Sequence, residues 1–193
     1  MSHPDAALAA LRDFFAAGSG AELERACARL ATAGCVPPPE ADEDLEYDFN
    51  RLFVGPGRLA APPYASVYLE TEPRLMGETT LLVRAVYHAL GLASPRQSAL
   101  PDDHLSLELD AALALRAAAG EADGPEMAAL RRYFLAEHLG RWLPAFAARV
   151  REASPHPAVA CAVSRLLDWL DHELSAVPEY GEYGRDERQR RCV

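Results

Sequence analysis

The chain contains no lysine. Its 19 basic side chains are all arginine and face 29 aspartates and glutamates, for a formal net charge of −10. This balance argues against sequence-independent nucleic-acid binding, which needs Lys and Arg to neutralise phosphates. It favours encounter with a basic partner. Without lysine, Gly55-Pro56-Gly57 is not a nucleotide-binding P-loop, which requires a Gly-Lys-[Ser/Thr] ending. The four cysteines, Cys27, Cys35, Cys161 and Cys192, form no Cys-x-x-Cys pair, so zinc and thioredoxin-type readings fail on spacing. Cys27 and Cys161 fall within helical apolar patterns and read as buried thiols. No apolar run approaches the ~20 residues that span a bilayer, and Met1-Ser-His-Pro-Asp5 is not a basic region leading into an apolar one. The expectation is a cytoplasmic protein with no stable membrane insertion. Gly-x-Ser-x-Gly and His-Glu-x-x-His are both absent, and Ser66 has no triad partner in sequence. Alternating strand patterns with a plausible partner are missing too.

Helical punctuation is present instead. Half the residues are apolar, with leucine and alanine dominant, and a chain of this length buries roughly 70% of its unfolded surface. Leu8, Leu11, Phe14 and Phe15 share one face of a helix over Ala6–Ala17. Ser19-Gly-Ala-Glu22 is a capping-box pattern opening a helix to about Ala33, stopped by Gly34. After a Pro37–Pro39 connector, Asp42 caps a helix from about Glu43 to Phe53. Further helices are expected over Gly77–Leu90, with a turn at Ser94-Pro95, then over Pro101–Ala119 and Pro125–Leu139. Gly140–Val150 follows after a break, and a last helix runs from Pro157 to about Ser175. Ser66–Leu69 reads as extended. The reading is a single compact all-α multi-helix domain over 1–177, with a polar, Arg- and Glu-rich tail over 178–193.

Two stretches stand out for chemistry. The first is the Gly/Pro loop after Phe53, where Gly55, Pro56, Gly57, Pro62 and Pro63 end the helix and Tyr64 and Tyr68 add aromatic surface. By spacing alone Phe49, Leu52 and Phe53 are helix core, while Tyr64 and Tyr68 are better contact candidates because tyrosine joins apolar area to a polar tip. The second is Asp102, Asp103, His104 and Glu108, for which three readings stand. One is a hydrolase-like or metal site, against which a single histidine counts. One is an N-cap with His104 bonded to Glu108 or a loop carbonyl. The third is a recognition surface whose carboxylates meet guanidinium groups of a peptide. His138 and Trp142, flanked by Phe134 and Phe146, form a core stripe at helical spacing. The acidic run from Glu40 to Asp48 is a solvated helix start that also supplies negative potential.

Three segments carry a resemblance. LFVGPGRLAAPPYASVYLE, residues 52–70, resembles the signature loop of the TorD/DmsD family, cytoplasmic chaperones for molybdenum-containing redox enzymes exported with a twin-arginine signal. PDDHLSLEL, 101–109, resembles the family's P-x-D-H-x-x-x-E/Q-L segment. YFLAEHLGRWLPAF, 133–146, resembles its F-L-x-x-H-L-x-x-W-x-x-x-F helix pair. The resemblance implies an all-α chaperone with no catalytic residue, metal or cofactor of its own. Its partners would be the twin-arginine signal peptide and the apo form of a molybdopterin-containing oxidoreductase, and it leaves room for cofactor-insertion proteins. It implies a signal-peptide site of Phe49, Leu52, Phe53, Pro63, Tyr64, Ser66, Tyr68, Asp103, His104 and Glu108. The chain departs from relatives with tryptophan in this loop, offering Gly57, Tyr64 and Tyr68. The alternatives are a NarJ-like chaperone that grips a mature catalytic subunit and a hydrolase using Asp103, His104 and Glu108. Monomer and domain-swapped dimer both stay open.

Overall fold

A computed structural model describes residues 4–34, 43–72, 77–93, 100–120 and 125–176. The connector at 37–39, the cap at Asp42, the turn at 94–95, Cys35, Cys192 and the 178–193 tail lie outside the described residues. Helix α1 (Pro4–Phe15) buries Leu8, Leu11, Phe14 and Phe15, as its apolar spacing requires. Helix α2 (Gly20–Thr32) starts as the capping pattern predicts. Ser19 Oγ accepts the Glu22 N–H at 3.4 Å, and Glu22 reaches back to the Gly18 N–H at 2.8 Å. Its apolar face of Leu23, Ala26, Cys27 and Leu30 packs on α1. Burial pushes the Cys27 thiol up to about 11, which leaves it unreactive. Cys161, expected inside, is only partly buried.

Helix α3 (Glu43–Phe49) does not run regularly to Phe53: it widens into a π-helical turn over Asn50–Val54, closed by the Gly55 N–H on the Asn50 carbonyl at 2.7 Å. The wider turn keeps Phe49, Leu52 and Phe53 all facing inward. Gly55, at φ +104°, then turns the chain out of the helix. Residues 66–69 are not extended. The N–H groups of Val67, Tyr68 and Leu69 bond back to Tyr64 and Ala65, and that of Glu70 bonds Ser66, making the single turn α4 (Ser66–Leu69). Helix α5 (Glu78–Ala89) follows, its Thr79 N–H capped by the Glu70 carboxylate at 2.9 Å.

Helix α6 (Leu105–Gly120) is apolar nearly all round and runs through the centre, burying Leu105, Leu107, Leu109, Ala111, Ala112 and Leu115. It starts four residues later than its sequence pattern suggests, because the chain from Pro101 turns to place His104 opposite Tyr64. Helix α7 (Pro125–Tyr133), a π-helical stretch over Phe134–Leu139, and α8 (Gly140–Glu152) succeed one another without the expected break at Gly140. Gly140 keeps helical geometry, and a Cβ there would meet the Leu135 carbonyl at 3.1 Å. Helix α9 (Pro157–Ala176) closes the bundle against α8 and α1. Its buried Glu173 takes Arg116 of α6 and Arg131 of α7, and Arg116 also meets Asp5 of α1 at 2.7 Å.

Asp48 belongs to the expected solvated acidic run, yet it is nearly buried. Its carboxylate accepts Arg51 Nε at 3.0 Å and the His156 N–H at 2.7 Å, while Arg51 donates to the Ala153 carbonyl at 3.0 Å. These bonds tie α3 to the turn between α8 and α9. Asp48→Ala is expected to lower the unfolding free energy by about 1–2 kcal/mol, since it takes the acceptor from the His156 backbone N–H and from a partly exposed guanidinium. The urea midpoint measures the change.

Candidate functional site

The three sequence segments that stood out meet in one place. Loop 55–65 lies on the π-helical turn, with the Ala60 and Ala61 N–H groups on the Arg51 and Leu52 carbonyls at 3.3 and 3.2 Å. Its far end is stitched to the turn before α6. The Ala65 N–H bonds the Asp103 carbonyl at 3.0 Å, and the Leu105 N–H bonds the Pro63 carbonyl at 2.8 Å. Between them Tyr64 and His104 form an antiparallel bridge, with the Tyr64 ring edge-on to the imidazole at 5.0 Å.

Asp103 fastens this junction. One carboxylate oxygen accepts the Ser66 N–H at 3.0 Å and the other accepts the Thr80 hydroxyl at 2.9 Å, so a single side chain holds α4 and α5 against the start of α6. Thr80 had no signal in the sequence beyond its helix. Asp102 accepts Arg84 Nε of α5 at 2.7 Å. Both aspartates are 1% exposed, so each serves partners within the fold. His104 is also buried, and its Nδ1 meets Ser106 Oγ at 2.8 Å and accepts the Ser106 N–H at 3.2 Å. The histidine thus caps α6.

Glu108, one of the two partners the spacing offers His104, turns elsewhere. Glu108, fully buried, points to the 133–146 segment, where Oε1 meets His138 Nε2 at 2.7 Å and Oε2 accepts the Trp142 indole N–H at 3.0 Å. Burial raises the Glu108 pKa. Burial works against the charged form of His138 as well, but the neighbouring Glu108 overrides it and raises the imidazole pKa. The stripe of Phe134, His138, Trp142 and Phe146 is core, as its spacing suggests, and additionally anchors this buried acid. A hydrolase centre is not assembled: Asp103, His104 and Glu108 each bond a different set of partners. Among the described residues no group of histidine, cysteine and carboxylate ligands could hold a metal, and no helix is long and apolar enough to cross a membrane.

The aromatic residues divide by depth. Phe49, Leu52, Phe53 and Pro63 are buried, and Phe14, Phe15, Phe49, Phe53 and Phe146 interlock by edge contacts at 5.1–6.0 Å. Ser66 is buried too. Tyr64 and Tyr68 are half-buried, and the Tyr68 hydroxyl lies inside. Burial and then the Asp103 charge raise the Tyr64 phenol. Burial raises that of Tyr68, partly offset by Arg149. The arrangement is a loop tied down over an aromatic floor, with Tyr64 and Tyr68 half-buried at its edge.

Residues 6–148 match the family described as nitrate reductase delta subunit. The chain is 32% identical over 177 residues to a protein named Chaperone protein TorD from Psychrobacter sp. (strain PRwf-1), covering 86% of this chain and 79% of that one. It is 31% identical over 144 residues to Chaperone protein TorD of Vibrio cholerae serotype O1, covering 72% and 65%. To Tat proofreading chaperone DmsD of Salmonella typhi it is 32% identical over 128 residues, covering 66% and 59%. The match therefore spans slightly under two thirds of the Vibrio and Salmonella proteins. All three are named as chaperones.

Proposed function

The chain belongs to the nitrate reductase delta subunit family, together with these TorD and DmsD relatives, and on that basis we propose that it is a redox-enzyme maturation chaperone that binds a twin-arginine signal peptide. Its client is a molybdopterin-containing oxidoreductase, held back from export until it has folded and received its cofactor. Holding a leader before export places the chaperone in the cytoplasm, where cofactor-insertion proteins would meet the same complex.

One observation carries this reading: the three segments likest the family's motifs converge on the junction where Asp103 fastens loop 55–65. Tyr64 and Tyr68 supply the contact surface. Pro63, Ser66, Asp103 and His104 frame it, and Phe49, Leu52, Phe53 and Glu108 form its packed base. The excess of ten acids over bases, 29 against 19, favours approach of a peptide that leads with two arginines.

Calorimetric titration with a twin-arginine leader peptide tests the reading. Micromolar binding is expected, weakened about tenfold by Tyr64→Ala, a loss of about 1.4 kcal/mol. Absence of binding to any leader by the folded protein would defeat it. The family's own description as a nitrate reductase subunit favours a second reading, in which the chain grips a mature catalytic subunit. In that case an apo oxidoreductase lacking its leader would bind as well as the complete precursor.

A further inference from the structure

Tyr68 lies between the core and solvent, and α8 supplies both sides. Trp142 stacks against the ring, with centroids 5.5 Å apart and planes at 27°, and Phe146 meets it edge-on at 6.2 Å. Both are fully buried. Arg149, two turns beyond Trp142 and exposed, places its guanidinium over the Tyr68 ring, 5.2 Å from the centroid. The buried tryptophan and the exposed arginine set the guanidinium on the solvent side of the ring.

Arg149 is held differently from the arginines that form ion pairs. Acids outnumber bases, and Arg12, Arg29, Arg51, Arg84, Arg116 and Arg131 all pair with carboxylates. Among the described residues Arg149 pairs with none; its guanidinium rests on an aromatic face. That face has a quadrupole that attracts any cation placed over it, and Trp142 fixes its orientation.

We propose that the outer face of Tyr68 is the seat for one guanidinium of the bound peptide, and that Arg149 occupies this seat as an internal stand-in until the peptide displaces it. The inference rests on the peptide-binding reading above and names the group recognised at that site. Exchanging one guanidinium for another leaves the ring's cation contact intact, so displacement sacrifices little. An exposed contact of this kind is worth about 0.5–1 kcal/mol, weak enough to open and strong enough to compete. Arg149 therefore sets a threshold: a peptide must bring its own guanidinium to reclaim what it displaces.

The test titrates the full chain with a leader peptide carrying two adjacent arginines before its apolar segment, and with the same peptide bearing Ala-Ala there. Arg149→Met keeps the apolar stem and removes the competitor. It is expected to tighten the Arg-Arg peptide about two- to fivefold and to leave the Ala-Ala peptide unchanged. Tyr68→Leu should abolish that gain and most of the preference for arginine. The gain should persist at about 0.5 M salt, where repulsion between exposed charges is screened. A gain that disappears in salt, equal tightening of both peptides, or weaker binding by Arg149→Met would each overturn the inference while leaving peptide binding in place. If the unaltered protein bound neither peptide, the functional reading would fall and the inference with it.

Discussion

Glu108→Ala is expected to remove about 3–5 kcal/mol of stability, a large part of the 5–15 kcal/mol typical of a whole domain. The carboxylate has no contact with water, and two groups from another part of the chain depend on it: the His138 imidazole and the Trp142 indole N–H. Alanine leaves both without an acceptor and opens a cavity between α6 and α8. Glu108→Gln should lose less, about 1–2 kcal/mol, because its amide oxygen still accepts from Trp142 while its NH2 can donate to a neutral His138. Urea unfolding of the three proteins measures the order. Equal losses for alanine and glutamine would mean that charge, not shape and hydrogen bonding, governs the site.

The pair also sets a pH dependence whose sign follows from both shifts. His138 titrates above its ordinary value of 6.5 in the folded state, so its contribution is fully present below that pH and lost as pH rises through the folded value. Glu108 is raised as well, by burial, so it too favours the folded state relatively more at lower pH. The stability advantage of the unaltered protein over Glu108→Gln should therefore be largest near pH 6 and shrink toward pH 9. A gap that widens with pH would contradict the assignment.

Much of the fold was legible because its signals are local. The apolar spacing of α1, the Ser19–Glu22 cap of α2 and the long pattern of α9 all appear in the structure within a few residues of their expected bounds. Departures arise where distant contacts outweigh local propensity. Residues 101–104 read as the start of a helix, but they turn because Tyr64 and Pro63 claim their backbone groups. The π-helical turns carry no local marker; they are set by the need to turn Phe49, Leu52 and Phe53 inward together, and by the packing of Phe134–Leu139.

The site was legible as a set of segments, and less so as a set of roles. Helical spacing pairs Glu108 with His104, four residues away, whereas its partners lie 30 and 34 residues on, beyond the reach of any periodicity. Thr80 and Arg149 had no motif to announce them. A hydroxyl on one helix and an arginine on another gain meaning only when Asp103 and Tyr68 are brought beside them. What spacing did anticipate is the depth of Phe49, Leu52 and Phe53, which lie in the core beneath the tyrosines.

The second large effect is expected at Asp103, and it separates framing from contact. Asp103→Ala should destabilise the fold by about 2–4 kcal/mol, because the Ser66 N–H and the Thr80 hydroxyl lose a charged acceptor in a buried place. Loop 55–65 then keeps only its backbone bonds to the turn before α6 and loses the side-chain tie to α4 and α5, and affinity for a twin-arginine peptide should fall about tenfold, about 1.4 kcal/mol. Asp103→Asn is the informative variant. Its oxygen can still accept the Ser66 N–H, and its NH2 can donate to a rotated Thr80 hydroxyl, so the tie survives without the charge. If Asp103 acts by holding the loop, asparagine should keep affinity within about threefold of the unaltered protein, under about 0.7 kcal/mol. If the carboxylate itself met a peptide guanidinium, asparagine would lose as much affinity as alanine while remaining the more stable of the two. Measuring stability and peptide affinity on both variants decides between these roles. The 1% exposure of Asp103 and its two internal donors make framing the expected outcome.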